Sequence, residues 1–372
     1  MIKRIVIDVT PLLYSLNQGI SLTTHMLIQG ILSLESNFEV VLFGRRMQGT
    51  RLNSLGLGVR NVHLRLPRSL EHLIQKTKLV ERLCRGDLYH ATDFYLPLAN
   101  PEKAVATIHD LIFLIQPEAM VDHVRLAKWV PDFARRCCRI IAVSEFSKHD
   151  IVERLGIDAE RISVVYNGID RKMFHPVEDK PELDKRLYSM LGFKRPYFLA
   201  VSCSTGRKNT PALLTAYSRL LQNNPRNDLV LVWDPPEEIK RRYDSPKGAD
   251  RIHFVGKQSA KNLADLYRGA TALIFPSLYE GFGLPILEAM SCGTPVVTSN
   301  ITSMPEIGGD AAVYVDPRNL DSIISSLERF EDEESLALEL REKCITQAAK
   351  FSWIRCVKET MEVYRHCLED LS

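Results

Sequence analysis

Several familiar signatures are missing from this sequence of 372 residues. No Cys-x-x-Cys pair occurs among its eight cysteines, and Cys137 and Cys138 are adjacent. That leaves no zinc-type or dithiol redox spacing, so scattered reduced thiols in a cytosolic protein are expected. No Asp-x-Asp pair is present to clamp a divalent ion. Neither half carries Gly-x-Gly-x-x-Gly after its first strand-like run, which removes the nicotinamide-dinucleotide fingerprint. No apolar stretch reaches the roughly 18 residues that a membrane span needs. The chain opens directly on a strand-like run with no signal peptide before it. A cytoplasmic protein is expected, with any membrane contact peripheral. An excess charge is also missing: 48 Lys and Arg face 46 Asp and Glu, and the net charge of +2 implies no bulk attraction to nucleic acid.

What is present is ordinary for a soluble globular protein, at 45% hydrophobic and 25% charged residues, and the length suits two cores better than one. Charge is nevertheless uneven. From Arg45 to Arg85 ten Lys or Arg stand against Glu71 and Glu81. This segment reads either as a solvated basic face or as a surface that docks an anionic membrane leaflet or a phosphate-bearing acceptor.

Short β-branched runs alternate with longer helical patterns, which argues for parallel sheets covered by helices on both faces. Strands are expected over 2–8, 39–43, 87–90, 104–109, 139–144 and 162–166, and again over 197–202, 229–233, 251–255, 272–275, 295–299 and 312–315. Leu70, Leu73, Ile74, Thr77, Val80 and Cys84 make one stripe at helical spacing. Asn167-Gly168-Ile169-Asp170 and the charged stretch 176–185 read as a linker, with the boundary near residue 176. The expected division is an N-terminal domain over 1–176, a C-terminal domain over 177–350, and a helix over 351–372 that packs back on the first. That last helix carries Trp353, Val357, Met361 and Tyr364 on one face.

Residues 276–295 are the most informative. The strand 272–275 ends at Pro276, a loop runs through Glu280, Gly281, Phe282 and Gly283, and Pro285 fits the first position of a helix. Gly293 ends that helix. Two glycines let the backbone approach a ligand. The amides from Gly281 to Leu284 and the helix dipole then favour an anion such as a diphosphate. Glu288 lies about one turn into the helix, where a carboxylate can accept from paired ribose hydroxyls. Glu280, before the glycines, suits the hydroxyls of a sugar. An ordinary βα turn with surface glutamates is the alternative.

Glu280 and Glu288, with Gly-Phe-Gly-Leu-Pro between them, resemble the Glu-x7-Glu motif of the retaining glycosyltransferase family 4. The resemblance extends through Thr107-Ile108-His109-Asp110-Leu111, the segments 143–147 and 165–170, Arg207-Lys208-Asn209, and the segments 291–297 and 304–312. It covers nearly the whole chain, in order. It implies the GT-B fold, two Rossmann-like parallel-sheet domains facing each other across a cleft. Arg207 and Lys208 follow the first strand of the second half, where a doubly wound sheet binds phosphate, so they suit a leaving nucleoside diphosphate. Within the family the lysine matching Lys208 contacts the phosphates. Ser202 stands where many members carry an arginine, and Arg207 is expected to compensate. The resemblance places His109 at the donor sugar. Asp110 either orients the imidazole or caps the next helix. Gly19 stands alone where members usually have two glycines, beside donor phosphate or acceptor.

These features imply transfer of a sugar from a nucleoside diphosphate to an acceptor hydroxyl, retaining the anomeric configuration and needing neither cofactor nor metal. The motifs look most like mannosyltransferases of lipopolysaccharide O-antigen or exopolysaccharide assembly. GDP-mannose is the first candidate donor, UDP- and other GDP-sugars stay open, and a lipid-linked glycan is the expected acceptor. An inactive scaffold homologue and a GT-B sugar-nucleotide epimerase are the alternatives.

Overall fold

The structure, a computed structural model, describes residues 2–13, 19–34, 38–45, 58–65, 70–117, 122–204, 206–243 and 251–372. It divides into two compact units, one of Met1–Gly168 with Trp353–Ser372 and one of Ile169–Ser352.

The first unit holds strands β1 (Lys3–Asp8), β2 (Phe38–Arg45), β3 (Asn61–Leu64), β4 (Leu88–Ala91), β5 (Ala104–Ile108), β6 (Arg139–Ala142) and β7 (Ile162–Val164). Its helices are α1 (Gly19–Ser33), α2 (Glu71–Lys76), α3 (Leu79–Cys84), α4 (Ile112–Ile115), α5 (His123–Arg136) and α6 (Glu145–Leu155). The second unit holds β8 (Tyr197–Ala200), β9 (Asp228–Leu231), β10 (Ile252–Phe254), β11 (Ala272–Phe275), β12 (Val296–Ser299) and β13 (Ala312–Val315). Its helices are α7 (Lys180–Leu191), α8 (Thr210–Leu220), α9 (Glu237–Tyr243), α10 (Ala260–Gly269), α11 (Leu284–Ser291), α12 (Met304–Gly308), α13 (Leu320–Asp332) and α14 (Glu334–Ala348). The last helix, α15 (Trp353–Asp370), belongs to the first unit.

Every strand pairing is parallel, in the order β3-β2-β1-β4-β5-β6-β7 in the first sheet and β10-β9-β8-β11-β12-β13 in the second. Alternate strand residues point to opposite faces, so each face needs its own cover. On one face of the first sheet Val6, Val41, Tyr89, Ala106 and Ile140 pack together. On the other, Ile5, Ile7, Val40, Leu88, Val105 and Ile141 pack with residues of α1 and α15. Trp353, Val357, Met361 and Tyr364 of α15 are all buried, as their helical spacing leads one to expect. Tyr364 is anchored through its hydroxyl, 2.6 Å from Nδ1 of the buried His90, whose Nε2 lies 2.7 Å from Thr107 Oγ1.

Three expectations change. The stripe from Leu70 to Cys84 is two short helices, because Lys78 takes a left-handed φ of 52° between α2 and α3. Ile74, Val80 and Cys84 are buried, while Leu73 is 47% exposed. The charged stretch 176–185 is a linker only in part: α7 starts at Lys180, capped by Asp179, stapled by a Lys180–Asp184 ion pair at 3.1 Å, and held by buried Leu183 and Leu187. The chain passes from one unit to the other at Gly168–Ile169. The following residues are tied to the second unit, where Arg268 donates to the Met173 and His175 carbonyls at 2.7 and 2.8 Å. The Phe174 carbonyl accepts from Ser291 Oγ at 2.6 Å.

Candidate active site

In the second sheet β8 and β11 lie side by side, while the order continues outward through β9 on one flank and β12 on the other. A doubly wound sheet opens its ligand crevice at such a reversal, beyond the carboxyl ends of the strands. The segments that leave β8 and β11 there carry Ser202, Arg207 and Lys208 on one side and Glu280 to Gly283 on the other.

After β8 the backbone turns sharply. Ser202 takes φ 53° and Asn209, at the start of α8, φ 57°, conformations in which side chains other than glycine are uncommon. The loop is pinned by Ser204 N–H donating to Thr210 Oγ1 at 3.0 Å and by Asn209 Nδ2 donating to the Pro317 carbonyl at 2.7 Å. The Arg207 carbonyl accepts from the Leu278 N–H at 2.7 Å, which ties the two segments together.

Glu280 sits where they meet, its side chain only 8% exposed. Lys208 Nζ lies 2.5 Å from Oε1, and Arg207 Nη1 lies 2.9 Å from Oε2. Lys208 also stands over the Phe275 ring, 4.8 Å from its centroid. Burial pushes the Glu280 carboxyl up, but the Lys208 and Arg207 charges outweigh it and hold the group below its ordinary value. The site is thus an ionised carboxylate bridging two cations.

The loop backbone is held from behind. Ser303 Oγ donates to the carbonyls of Glu280 at 3.0 Å and Phe282 at 2.8 Å, and Ser299 Oγ donates to that of Ser277 at 2.6 Å. Phe282 packs edge-on against Phe351 with centroids 6.0 Å apart. Of the two glycines only Gly283 is left-handed, with φ 111°, and it is the N-cap of α11. The helix begins at Leu284, so Pro285 is its second residue and not its first. Gly293, just past the end, takes φ 76°, as a helix-stopping glycine does.

Glu288 is partly buried on α11, and the Tyr267 hydroxyl donates to its Oε2 at 2.8 Å. Burial outweighs that bond and raises the carboxyl to about 7. Tyr267 and Ser303 carry no sequence signal for this role. Tyr267 sits in an apolar stripe. Ser303 reads as a helix cap, yet its hydroxyl turns to the loop carbonyls.

The first unit holds the other two expected residues. His109 follows β5, and its Nε2 donates to the Thr92 carbonyl at 2.9 Å. Burial lowers the imidazole's pKa, so the ring is neutral and its Nδ1 is an acceptor. Asp110 Oδ1 accepts the Ile112 N–H at 3.1 Å at the start of α4, and its charge acts on the His109 imidazole. Gly19 opens α1 with φ 50°, and its neighbours Asn17 and Gln18 lie outside the described residues. Among the described residues no helix is long and apolar enough to cross a membrane, and no three His, Cys, Asp or Glu are grouped to hold a metal ion.

Two family models match the chain: "Glycosyltransferase Family 4" over residues 18–172 and "Glycosyl transferases group 1" over 191–351. The O-antigen chain mannosyltransferase B of Escherichia coli is 33% identical over 287 residues, 75% of this chain and 74% of that protein. The serotype-specific mannosyltransferase WbdA of the same species is 30% identical over 285 residues, and there the match spans 74% of this chain and only 35% of the longer relative. Among solved structures, a glycosyltransferase of Rickettsia africae superposes with a TM-score of 0.77 at 18% identity, covering 99% of both chains. The Anabaena Alr3699/HepE structure, in complex with UDP-glucose, superposes with a TM-score of 0.73 at 19% identity and covers 99% of both. The full-length fold match and the curated relative agree, and the chain belongs to glycosyltransferase family 4, as an enzyme of the GT-B fold that resembles the O-antigen mannosyltransferases.

Proposed function

We propose that this glycosyltransferase moves mannose from GDP-mannose to a hydroxyl of a lipid-linked glycan in O-antigen-type polysaccharide synthesis, with retention and without a divalent metal. The observation that carries the reading is the Glu280 carboxylate held between Lys208 and Arg207 beside the start of α11. Charge grows on the diphosphate as it leaves, and fixed cations and helix N–H groups aimed at it lower the barrier. Lys208, Arg207 and the backbone from Gly281 to Leu284 take that part. Glu288 takes the ribose hydroxyls, sharing its carboxylate with Tyr267. As the phosphates draw the cations, Glu280 turns to the sugar hydroxyls, and the His109 Nδ1 accepts from another. The acceptor oxygen bonds to the anomeric carbon while the bond to phosphate breaks on the same face, and the acceptor's proton passes to the departing phosphate oxygen.

Relatives named as O-antigen mannosyltransferases, in Escherichia coli and Salmonella typhimurium, support the sugar and the pathway class. A thermal-shift screen of GDP, UDP, ADP and their sugars tests the donor, since a ligand that binds only the native state raises its stability. GDP and GDP-mannose are expected to raise the melting temperature, and a response to UDP-sugars alone refutes the choice. NMR of the product reads the anomeric configuration, and full turnover in EDTA tests metal independence.

We extend the proposal to an anionic membrane surface at the cytoplasmic face. Exposed Leu73 and Leu83 stand among exposed Lys76, Lys78, Arg82 and Arg85, the mixture that seats a protein at a lipid interface. Arg45 does not join them, because it is turned inward at 12% side-chain exposure, and Arg46, Arg51 and Arg68 lie outside the described residues. Vesicles with anionic lipid are expected to co-sediment the protein, and equal binding after charge neutralisation at 76, 78, 82 and 85 overturns the extension.

A further inference from the structure

One cluster at the carboxyl edge of the first sheet plays no part in the steps above. β1 and β4 are neighbours there, and the strand order runs outward from them in both directions, which is the crevice position of that sheet. Asp8, the last residue of β1, is fully buried. Its Oδ1 accepts from the Thr10 N–H at 2.9 Å and the Thr10 hydroxyl at 2.5 Å. Among the described residues its Oδ2 accepts no hydrogen bond, and the nearest cation, Arg45 Nη2, stands 4.0 Å away. That nitrogen instead donates to the Tyr95 carbonyl at 3.0 Å, with the guanidinium 5.1 Å from the Tyr95 ring centroid. Arg125 lies on the same ring at 5.7 Å and donates to the Tyr95 hydroxyl at 2.6 Å. Asp8, Asp93, Arg45, Arg125 and Tyr95 line a cavity of about 30 Å³.

The size and chemistry of this cup select its occupant. A polar cavity of that volume holds one hydroxyl group or one water, and not a sugar ring. Two carboxylates oppose an anion, and two guanidinium groups oppose a cation. A buried acceptor without a donor is unfavourable, so a neutral donor gains by entering. We propose that the cup receives one hydroxyl group of the acceptor sugar, which donates to Asp8 Oδ2 and fixes the acceptor's orientation on the first unit. The inference rests on the glycan-acceptor reading above.

Acceptor analogues that each lack one hydroxyl, assayed with the full-length enzyme and its Asp8→Asn variant, test it. In the wild type one analogue is expected to raise the acceptor KM about tenfold, equivalent to about 1.4 kcal/mol. In Asp8→Asn that penalty disappears while the donor KM stays as it was. A penalty that persists in the variant, or a loss that falls on the donor KM, overturns the proposal and leaves the transferase reading standing. A wild-type enzyme that transfers to no glycan overturns both. Should Asp8→Asn fail to fold, a crystal structure of the wild type with its acceptor decides the point. A sugar oxygen at hydrogen-bond distance from Oδ2 supports the subsite, and a water there overturns it.

Discussion

Glu280→Gln separates the two roles that this carboxylate combines. It neutralises Lys208 at 2.5 Å and Arg207 at 2.9 Å, with side-chain exposures of 13% and 29% for the two cations. Removing one member of a buried ion pair costs about 3–5 kcal/mol. The partial exposure of Arg207 screens part of that, so about 2 kcal/mol is the appropriate magnitude. For a unit of this size it lowers the melting temperature by about 4–8 °C. The released cations then have no internal rival for phosphate. Recovering about 1.4 kcal/mol on binding tightens a nucleoside diphosphate about tenfold. The intact sugar nucleotide gains less, because its hydroxyls lose their carboxylate, and transfer fails. Calorimetry with GDP and GDP-mannose, beside thermal unfolding of both proteins, reads all three quantities. Weaker or unchanged GDP binding in Glu280→Gln refutes the idea that Lys208 and Arg207 hold the phosphates.

Three further perturbations test other parts of the structure. Glu288, raised to about 7, gains a proton as the pH falls through that value, and only the ionised form accepts from two ribose hydroxyls. Donor affinity is therefore expected to fall from pH 8 to pH 6 in the wild type and to stay flat in Glu288→Gln, and calorimetry at both pH values checks it. Tyr364→Phe removes the partner of the fully buried His90 Nδ1 and is expected to destabilise the first unit by about 1–3 kcal/mol in urea unfolding. At Gly30 of α1 an added Cβ would come 2.4 Å from Val357 Cγ2 on α15, so Gly30→Ala should overpack that contact at a cost of about 1–3 kcal/mol, read by the same unfolding curve.

The parallel-sheet pattern was legible because buried strands of such sheets are short apolar runs cut by turn residues. Ala272–Phe275 followed by Pro276 and the glycines is the clearest case, and its strand and loop lie where the spacing puts them. β3 was invisible, since Asn61-Val62-His63-Leu64 is short, half polar and at the sheet edge. Residues 176–185 misled because an exposed helix and a linker share charge and proline. Only the burial of Leu183 and Leu187 against the rest of the unit distinguishes them. At the site, Glu280, Arg207 and Lys208 were legible as residue types at strand ends. Their mutual pairing was not, nor was the Tyr267–Glu288 bond, because contacts between distant segments leave no periodicity to read. Asp8 was read only as the end of a strand. Its unmatched oxygen depends on where Arg45 and Tyr95 come to rest.

The placement of α15 bears on how the protein is made. Its residues close one face of the first sheet, yet they are synthesised only after the whole second unit. While the second unit is being synthesised, the nascent first unit presents Ile28, Leu88 and Val105 without the cover that Val357, Met361 and Tyr364 later provide. Exposed apolar surface of that kind invites association with other chains or chaperones. A gene fragment stopping at residue 352 would make this temporary exposure permanent, so a soluble fragment of the first unit needs residues 353–372 joined to it.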